Sequence, residues 1–105
     1  MLVQKFAAHQ WRGQRLRFGA SIRAIAEGAG TGAQLFMRVW RKSADGASDL
    51  PAGLATMADR PVRGAECGRH TVELDVPADA DAIEIALIVT ANGKAWFGDL
   101  KLETA

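Results

Sequence analysis

The feature that most constrains the fold is the alternation of apolar and polar side chains in several short segments. In residues 15–26 the alternate apolar positions are Leu16, Phe18, Ala20, Ile22 and Ala24. In residues 69–76 they are Val72, Leu74 and Val76, and a proline ends the run. A period of two places every second side chain on the same face of a β-strand. The pattern therefore predicts strands that bury one face and expose the other.

The rest of the chain continues this pattern, with turn-forming residues between the apolar segments. Strand character recurs in residues 2–7, 33–42, 54–58, 83–89 and 94–103. Residues 43–53 are rich in Ser, Asp, Gly and Pro and predict the longest loop. Asn92-Gly93 predicts a hairpin turn that pairs residues 83–89 with residues 94–103.

These segments together predict the fold class. Seven or eight short strands, without the spacing of βαβ units or a helical period, indicate an all-β antiparallel sandwich of two sheets. We expect one domain over residues 1–105, with Phe18, Leu74, Ile85 and Leu100 meeting between the sheets and Trp96 in the core. A small α+β domain with a helical turn at residues 50–58 is the less favoured alternative.

Residues 33–42 have two faces that could each be the buried one. One carries Ala33, Leu35, Met37 and Val39, and the other carries Gln34, Phe36, Arg38 and Trp40. Aromatic residues are more often buried than displayed, which favours the second set as core. If Phe36 and Trp40 are instead exposed, they form a patch of the kind that marks a ligand-binding surface or a dimer contact.

Composition limits the compartment and the partners. The chain has 105 residues and one cysteine, Cys67, which excludes an internal disulfide and suits a reducing compartment. No apolar run approaches the roughly 18 residues of a membrane helix, and the N-terminal residues lack a signal-peptide pattern. The sequence therefore predicts a cytoplasmic protein that does not bind membranes.

Charge is distributed unevenly along the chain. Residues 1–42 contain eight Lys and Arg against one acid, Glu27, whereas residues 43–105 contain five Lys and Arg against eleven Asp and Glu. Early basic strands beside late acidic strands would form cross-strand ion pairs. A basic face for nucleic acid is the alternative, but such domains are usually basic overall, and this chain has a net charge of +1. We therefore expect no nucleic-acid partner.

No residue pattern predicts catalysis, a metal site or a cofactor. Cys67 and His70 are three apart, so they point to opposite faces of a strand, and too few other soft donors exist to complete a zinc site. The glycine-rich residues 28–32 lack the Lys-Ser/Thr of a phosphate-binding loop. We expect no enzyme activity.

Several segments of the chain resemble one family of proteins. These are residues 11–18, 33–39, 57–62, Arg69-His70, residues 74–80 and residues 96–100. They are similar to bacterial jelly-roll modules related to galactose-binding-like and carbohydrate-binding domains, which occur alone or attached to transcription regulators and peptidases. Cys67 stands where the family usually has tryptophan. Gly98-Asp99 stands where it usually has two acids, and the loss of one acid argues against the structural calcium that related modules hold there.

The resemblance implies a jelly-roll β-sandwich and a non-catalytic module that binds a small polar ligand, with carbohydrates as one class. Phe36, Arg38 and Trp40 are the candidate ligand-binding residues, because aromatic rings can stack on sugars and a guanidinium can donate to hydroxyl or carboxylate oxygens. The alternatives are a structural protein that forms a homodimer or partners a regulator through the same aromatic face, and a small-molecule enzyme that uses His70 or Asp59.

Overall fold

The computed structural model describes residues 2–25, 32–57, 61–62, 64, 68–90 and 94–105. Within these residues there are seven strands: β1 (Leu2–Ala7), β2 (Arg15–Ile25), β3 (Gly32–Lys42), β4 (Asp49–Thr56), β5 (Gly68–Asp75), β6 (Ala80–Thr90) and β7 (Lys94–Thr104). A single 3-10 turn, His9–Trp11, joins β1 to β2. None of the described residues forms a helix long and apolar enough to cross a bilayer.

The strands form two antiparallel sheets, which confirms the all-β sandwich of the jelly-roll type. The four-stranded sheet has the order β1-β6-β3-β4, and the three-stranded sheet has the order β5-β2-β7. Among the described strands, β3 and β4 are the one consecutive pair that shares a sheet. The chain otherwise passes from one layer to the other at every connection.

This alternation between layers makes the predicted hairpin wrong. β7 pairs with β2 rather than with β6, so residues 83–89 and 94–103 belong to different sheets. An Asn-Gly pair allows a tight turn because both residues tolerate positive φ, but it does not determine which strand the chain joins afterwards. Asn92 and Gly93 themselves lie outside the described residues.

The predicted loop at residues 43–53 is shorter than expected, because β4 begins at Asp49. Its first residues pair with the end of β3, and the register shifts between Val39 and Trp40. Pro51 fits here because β4 is an edge strand and the irregularity removes the need for a regular ladder. The strand also excludes the alternative helical turn in residues 50–57, which are the described part of the range 50–58.

The core lies between the sheets and is built from the alternate residues of β2 and β3. All five predicted apolar positions of β2 are buried, and so are Ala33, Leu35, Met37 and Val39 of β3. The burial of Ala33, Leu35, Met37 and Val39 resolves the ambiguity of β3, and the expectation that Phe36 and Trp40 form the buried set is wrong. Leu74 packs against the core beside Gly53, where an added Cβ would lie 2.9 Å from Leu74 Cδ1.

The expectation of Trp96 and Leu100 in the core is also wrong, and for Trp96 the reason is a β-bulge in β7. The β2–β7 register shifts between Gly19 and Ser21, and Asp99 adopts a positive φ of 49° there. An extra residue reverses the inward and outward phase of a strand. Phe97 therefore faces the core, whereas Trp96 is 48% exposed. Leu100 lines a cavity together with Phe18 and Leu102 but is 53% exposed, because β7 is the edge strand of its sheet. Of the four residues expected between the sheets, Phe18 is buried, and Leu74 and Ile85 pack against the core.

The predicted cross-strand ion pairs are present. Arg15 contacts Glu73 at 3.1 Å and Asp75 at 3.0 Å, and Lys42 contacts Asp49 at 2.7 Å. Each of these pairs joins a basic residue of the first 42 to an acidic residue of the remainder. The uneven charge distribution along the chain thus becomes charge pairing in the fold.

Candidate ligand-binding face

The three candidate residues share the outward side of β3. Because Leu35, Met37 and Val39 point into the core, Phe36, Arg38 and Trp40 alternate with them on the outer face of the four-stranded sheet. All three are half-buried rather than fully exposed. The structure therefore brings together the residues that the sequence singled out.

Arg38 lies between the two aromatic rings. Its guanidinium carbon is 5.0 Å from the centroid of the Phe36 ring and 4.5 Å from that of the Trp40 ring. Both distances are within the roughly 6 Å of a cation–π contact. The rings flank Arg38 because residues i−2 and i+2 of a strand lie on the same face, about 7 Å from residue i.

Glu84 of β6 holds the guanidinium in this position. It stands directly opposite Arg38 in the β3–β6 ladder. Arg38 Nε donates to Glu84 Oε1 at 3.0 Å, and Arg38 Nη2 donates to the same oxygen at 2.8 Å. The Glu84 side chain is only 17% exposed, so this pair is better shielded from water than the ion pairs at Arg15.

Lys5 adds a second cation to the same face. It stands opposite Glu84 in the β1–β6 ladder, and its Nζ lies 5.2 Å from the Trp40 ring centroid and 3.3 Å from Asp49 Oδ2. The Lys5 side chain has room to reach Trp40 because the residue opposite Trp40 in β6 is the small Ala82. We call Lys5, Phe36, Arg38, Trp40 and Glu84 together the Arg38 face.

Two cations, Lys5 and Lys42, contact the carboxylate of Asp49 at the border of this face. A hydrogen bond from Lys42, followed by one from Lys5, lowers the pKa of Asp49 below its ordinary value, and the same contact with Asp49 raises the pKa of Lys42. Both cations therefore favour the ionised form of Asp49.

A shallow depression lies beside Arg38 on this face. It has a volume of about 150 Å³ and is lined by Val3, Phe36, Arg38, Glu84, Ala86 and Ile88. The volume is well below the roughly 300–1,000 Å³ of sites for drug-sized ligands. Its lining combines an apolar floor and a ring with one cation and one anion, so it suits a small ligand that has both an apolar face and polar edges.

Trp40 contributes its ring faces to this site rather than its indole N–H. Trp40 Nε1 is buried and has no hydrogen-bond partner within the described part of the chain. Buried tryptophan N–H groups usually find a partner. Instead of a hydrogen bond, Trp40 has Lys5 and Arg38 over its ring, and the ring supports the position of Arg38.

Sequence reasoning missed Lys5 and Glu84. Both have the outward phase of their strands, so alternation alone places them on an outer surface. Their contact with Arg38 depends on the strand order β1-β6-β3. This order brings residues 5, 84 and 38 side by side, although they are far apart in sequence.

The other candidate groups lie elsewhere. His70 is half-buried in β5 of the three-stranded sheet, whereas Asp59 and Cys67 lie outside the described residues. The backbone oxygen of Asp99, at the position of the doubtful calcium, accepts a hydrogen bond from Arg69 Nη1 at 2.6 Å. In the described portion of the chain, no three His, Cys, Asp or Glu side chains are grouped so that they could hold a metal ion.

Comparisons with known proteins identify the fold and no closer relationship. No protein-family model matches the chain, and no curated protein is similar to it in sequence. A solved structure is similar: the CBM22-1 and GH10 modules of endo-1,4-β-D-xylanase 10B from Clostridium thermocellum, in complex with xylohexaose. The TM-score is 0.50 with 17% identity, and the match covers 89% of this chain but 17% of that chain. The neighbour is a carbohydrate-binding module, and the likeness supports the jelly-roll sandwich.

Proposed function

We propose that the protein is a non-catalytic binding module for a small polar ligand of the carbohydrate class, and that the ligand occupies the depression of the Arg38 face. The observation that carries the proposal is the lining of this depression. Phe36 and an apolar floor lie next to the Arg38–Glu84 pair in a volume of about 150 Å³. The fold shared with a carbohydrate-binding module supports the ligand class by analogy.

The chemistry of a sugar ring matches this lining. The C–H face of a pyranose is apolar and packs against Phe36 and the floor, whereas its edge hydroxyls require hydrogen-bond partners. Both hydrogen bonds from Arg38 reach Glu84 Oε1, so Glu84 Oε2 accepts from a sugar hydroxyl. The Arg38 guanidinium, which has five N–H donors, donates to a second hydroxyl.

The pair is preorganised for this role. Glu84 and the two rings fix the guanidinium before any ligand arrives, so little side-chain entropy is lost on binding. Trp40 acts as the support beneath Arg38 and Lys5, and Phe36 is the ring that the ligand contacts.

Titration with a panel of xylo-, gluco- and galacto-oligosaccharides tests the proposal, followed by calorimetry and by NMR chemical shifts. We expect shifts at Phe36, Arg38 and Glu84. Glu84→Gln and Trp40→Ala should each weaken binding at least tenfold, about 1.4 kcal/mol.

Trp96→Ala is the matched control. Trp96 also has an arginine over its ring, with Arg23 at 4.6 Å, but it belongs to the three-stranded sheet. It should leave the affinity unchanged. Absence of binding to every sugar, or equal weakening by Trp96→Ala, would refute the proposal.

The two alternatives are less well supported by the geometry. Self-association through the Arg38 face would bury the Arg38–Glu84 and Lys5–Asp49 ion pairs, and the cost of removing such pairs from water offsets much of their attraction. An enzyme would need His70 in a polar pocket with a matched partner, and His70 lies on the other sheet.

A further inference from the structure

The two sheets differ by one strand, and this leaves a step along one side of the sandwich. Across the interface β4 packs on β5, β3 packs on β2, and β6 packs on β7. β1 continues the four-stranded sheet beyond β6, whereas β7 is the last strand of the other sheet. The inner face of β1 therefore overhangs the position that a strand beside β7 would occupy.

An apolar cleft marks this position. Two adjoining cavities of about 230 and 320 Å³ share Gln4, Ile85 and Leu102 in their linings. The first also touches Leu2 and Phe18, and the second also touches Phe6 and Trp11. The cleft thus lies between the inner side of β1 and β6 and the inner side of β7, where it opens the core to solvent.

Two large apolar side chains are exposed at the step, one on each sheet. Leu2 of β1 is 69% exposed and Leu100 of β7 is 53% exposed. Lys101 is the one charged residue in the lining of the two cavities, and its Nζ lies 3.5 Å from Glu103 Oε2. The surface is therefore apolar and carries no unbalanced charge.

We propose that the occupant of the cleft is a second copy of this chain, joined at the step by a two-fold axis that runs along the strands. Rotation about this axis places the four-stranded sheet of one copy in the same layer as the three-stranded sheet of the other copy. β1 of each copy then lies beside β7 of the other, and each overhang fills the recess of its neighbour. The dimer has two continuous layers of seven strands each, because four strands of one copy adjoin three of the other.

The step favours a second copy over a single added strand. A free peptide beside β7 would cover the cleft but leave the outer edge of β1 without a partner. The two-fold arrangement pairs both edges at once, and its contact is self-complementary, as a two-fold interface requires. The low charge of the lining also favours a second copy. A two-fold axis brings equivalent groups close together, and equivalent charged groups would repel each other.

The sequence at the edges agrees with this choice. The opposite edge of the four-stranded sheet, β4, carries Pro51 and a register shift, both of which discourage further pairing. β1 has no proline. Beyond its bulge, β7 pairs regularly with β2 from Lys101 to Thr104, so its outer edge is also regular enough to accept a strand.

Sedimentation equilibrium over a range of concentrations tests the proposal on the whole chain. We expect twice the chain mass of 11.2 kDa for the wild type. Leu100→Glu and Leu2→Glu should each raise the dimer dissociation constant at least tenfold, and both residues are exposed enough for the monomer to fold. Leu54→Glu is the matched control, because Leu54 is 60% exposed but lies on β4 at the other edge.

Hydrogen exchange provides the second measurement. Amides of β1 and β7 should be protected more strongly at concentrations where the dimer forms, and this gain should disappear in Leu100→Glu. A wild type that stays monomeric at millimolar concentration overturns the proposal, and so does a dimer that Leu54→Glu disrupts while Leu100→Glu does not. The sugar titration reports on the outer face instead, so the failure of one proposal is distinguishable from the failure of the other.

Discussion

Trp40 and Trp96 make nearly the same contact in different surroundings. Each has an arginine over its ring, at 4.5 Å for Arg38 and 4.6 Å for Arg23. Trp40 belongs to β3, which has a neighbouring strand on both sides, and it is half-buried. Trp96 belongs to the edge strand β7 and is 48% exposed. The position of the strand in its sheet, rather than the residue type, decides how far each ring is covered.

The two arginines also reach their rings by different routes. Arg38 is two residues from Trp40 on the same strand and is held by Glu84. Arg23 is directly opposite Trp96 on the neighbouring strand β2. The first arrangement suits the proposed site better, because a polar group that is already fixed loses less side-chain entropy when a ligand binds.

The largest effect should come from Phe97→Ala, because the bulge at Asp99 turns Phe97 rather than Trp96 toward the core. Phe97 and Leu102 are five residues apart, and both face the core only because the bulge adds one residue between them. Losing a buried side chain of this size typically destabilises a protein by about 2–5 kcal/mol, and we expect a decrease of this order in the free energy of unfolding, measured in urea.

Asp99→Gly is the control for this substitution. It keeps the bulge and relieves the positive φ, so it should leave stability unchanged or raise it by up to about 1 kcal/mol. A Phe97→Ala variant with an intact free energy of unfolding would mean that Phe97 does not face the core and that the bulge does not set the phase of β7.

A smaller difference should separate alanine substitutions of the two tryptophans. Trp40→Ala should lower the free energy of unfolding by about 2–3 kcal/mol, below the full range for a completely buried tryptophan. Trp96→Ala should lower it by about 1 kcal/mol or less, because it removes one exposed cation–π contact and little buried area. Equal losses in urea unfolding would show that edge and interior positions are equivalent.

The smallest effect concerns acid stability. Hydrogen bonds from Lys42 and Lys5 lower the pKa of Asp49, and a hydrogen bond from Arg15 lowers that of Glu73 below its usual 4.5. Because the folded pKa values lie below the unfolded ones, this stabilisation is complete above pH about 4.5 and is lost as the pH falls through the folded values.

Asp49→Asn and Glu73→Gln should each flatten the acid limb of a stability-against-pH curve, the first reporting on the border of the Arg38 face and the second on the three-stranded sheet. The Asp49 side chain is 34% exposed and that of Glu73 is 32% exposed, so solvent ions reach both and 1 M salt should remove most of the difference. A salt-insensitive acid limb, unchanged in both variants, would contradict this account.

Alternation predicted β2 correctly because every inward position of that strand is apolar. β2 also keeps its alternation of buried and outward residues from end to end, although it pairs with a strand on each side. β3 has the same property, but the size of Phe36 and Trp40 made its outward face look like core. The actual core uses Leu35, Met37 and Val39, which are smaller and fit between two closely packed sheets.

The missed features depend on contacts between distant parts of the chain. Gly98 beside Asp99 is a local signal for a bulge, but the position at which β7 shifts against β2 depends on the pairing of the two strands. The Asn-Gly pair reports only local backbone preference, so it predicted a turn and not the change of sheet. For the site, the three residues on β3 could be predicted together, whereas Lys5 and Glu84 required knowledge of the strand order.

The passage of the chain between layers also governs the order in which the molecule can assemble. β2 lies in the middle of the three-stranded sheet, and both of its neighbours, β5 and β7, come much later in sequence. During synthesis the early strands therefore emerge rich in cations, before the carboxylates that neutralise them exist. Non-local pairing of this kind slows folding. The nascent chain must stay unaggregated until its second half is made, and a net positive charge of the first half favours its solubility during that time.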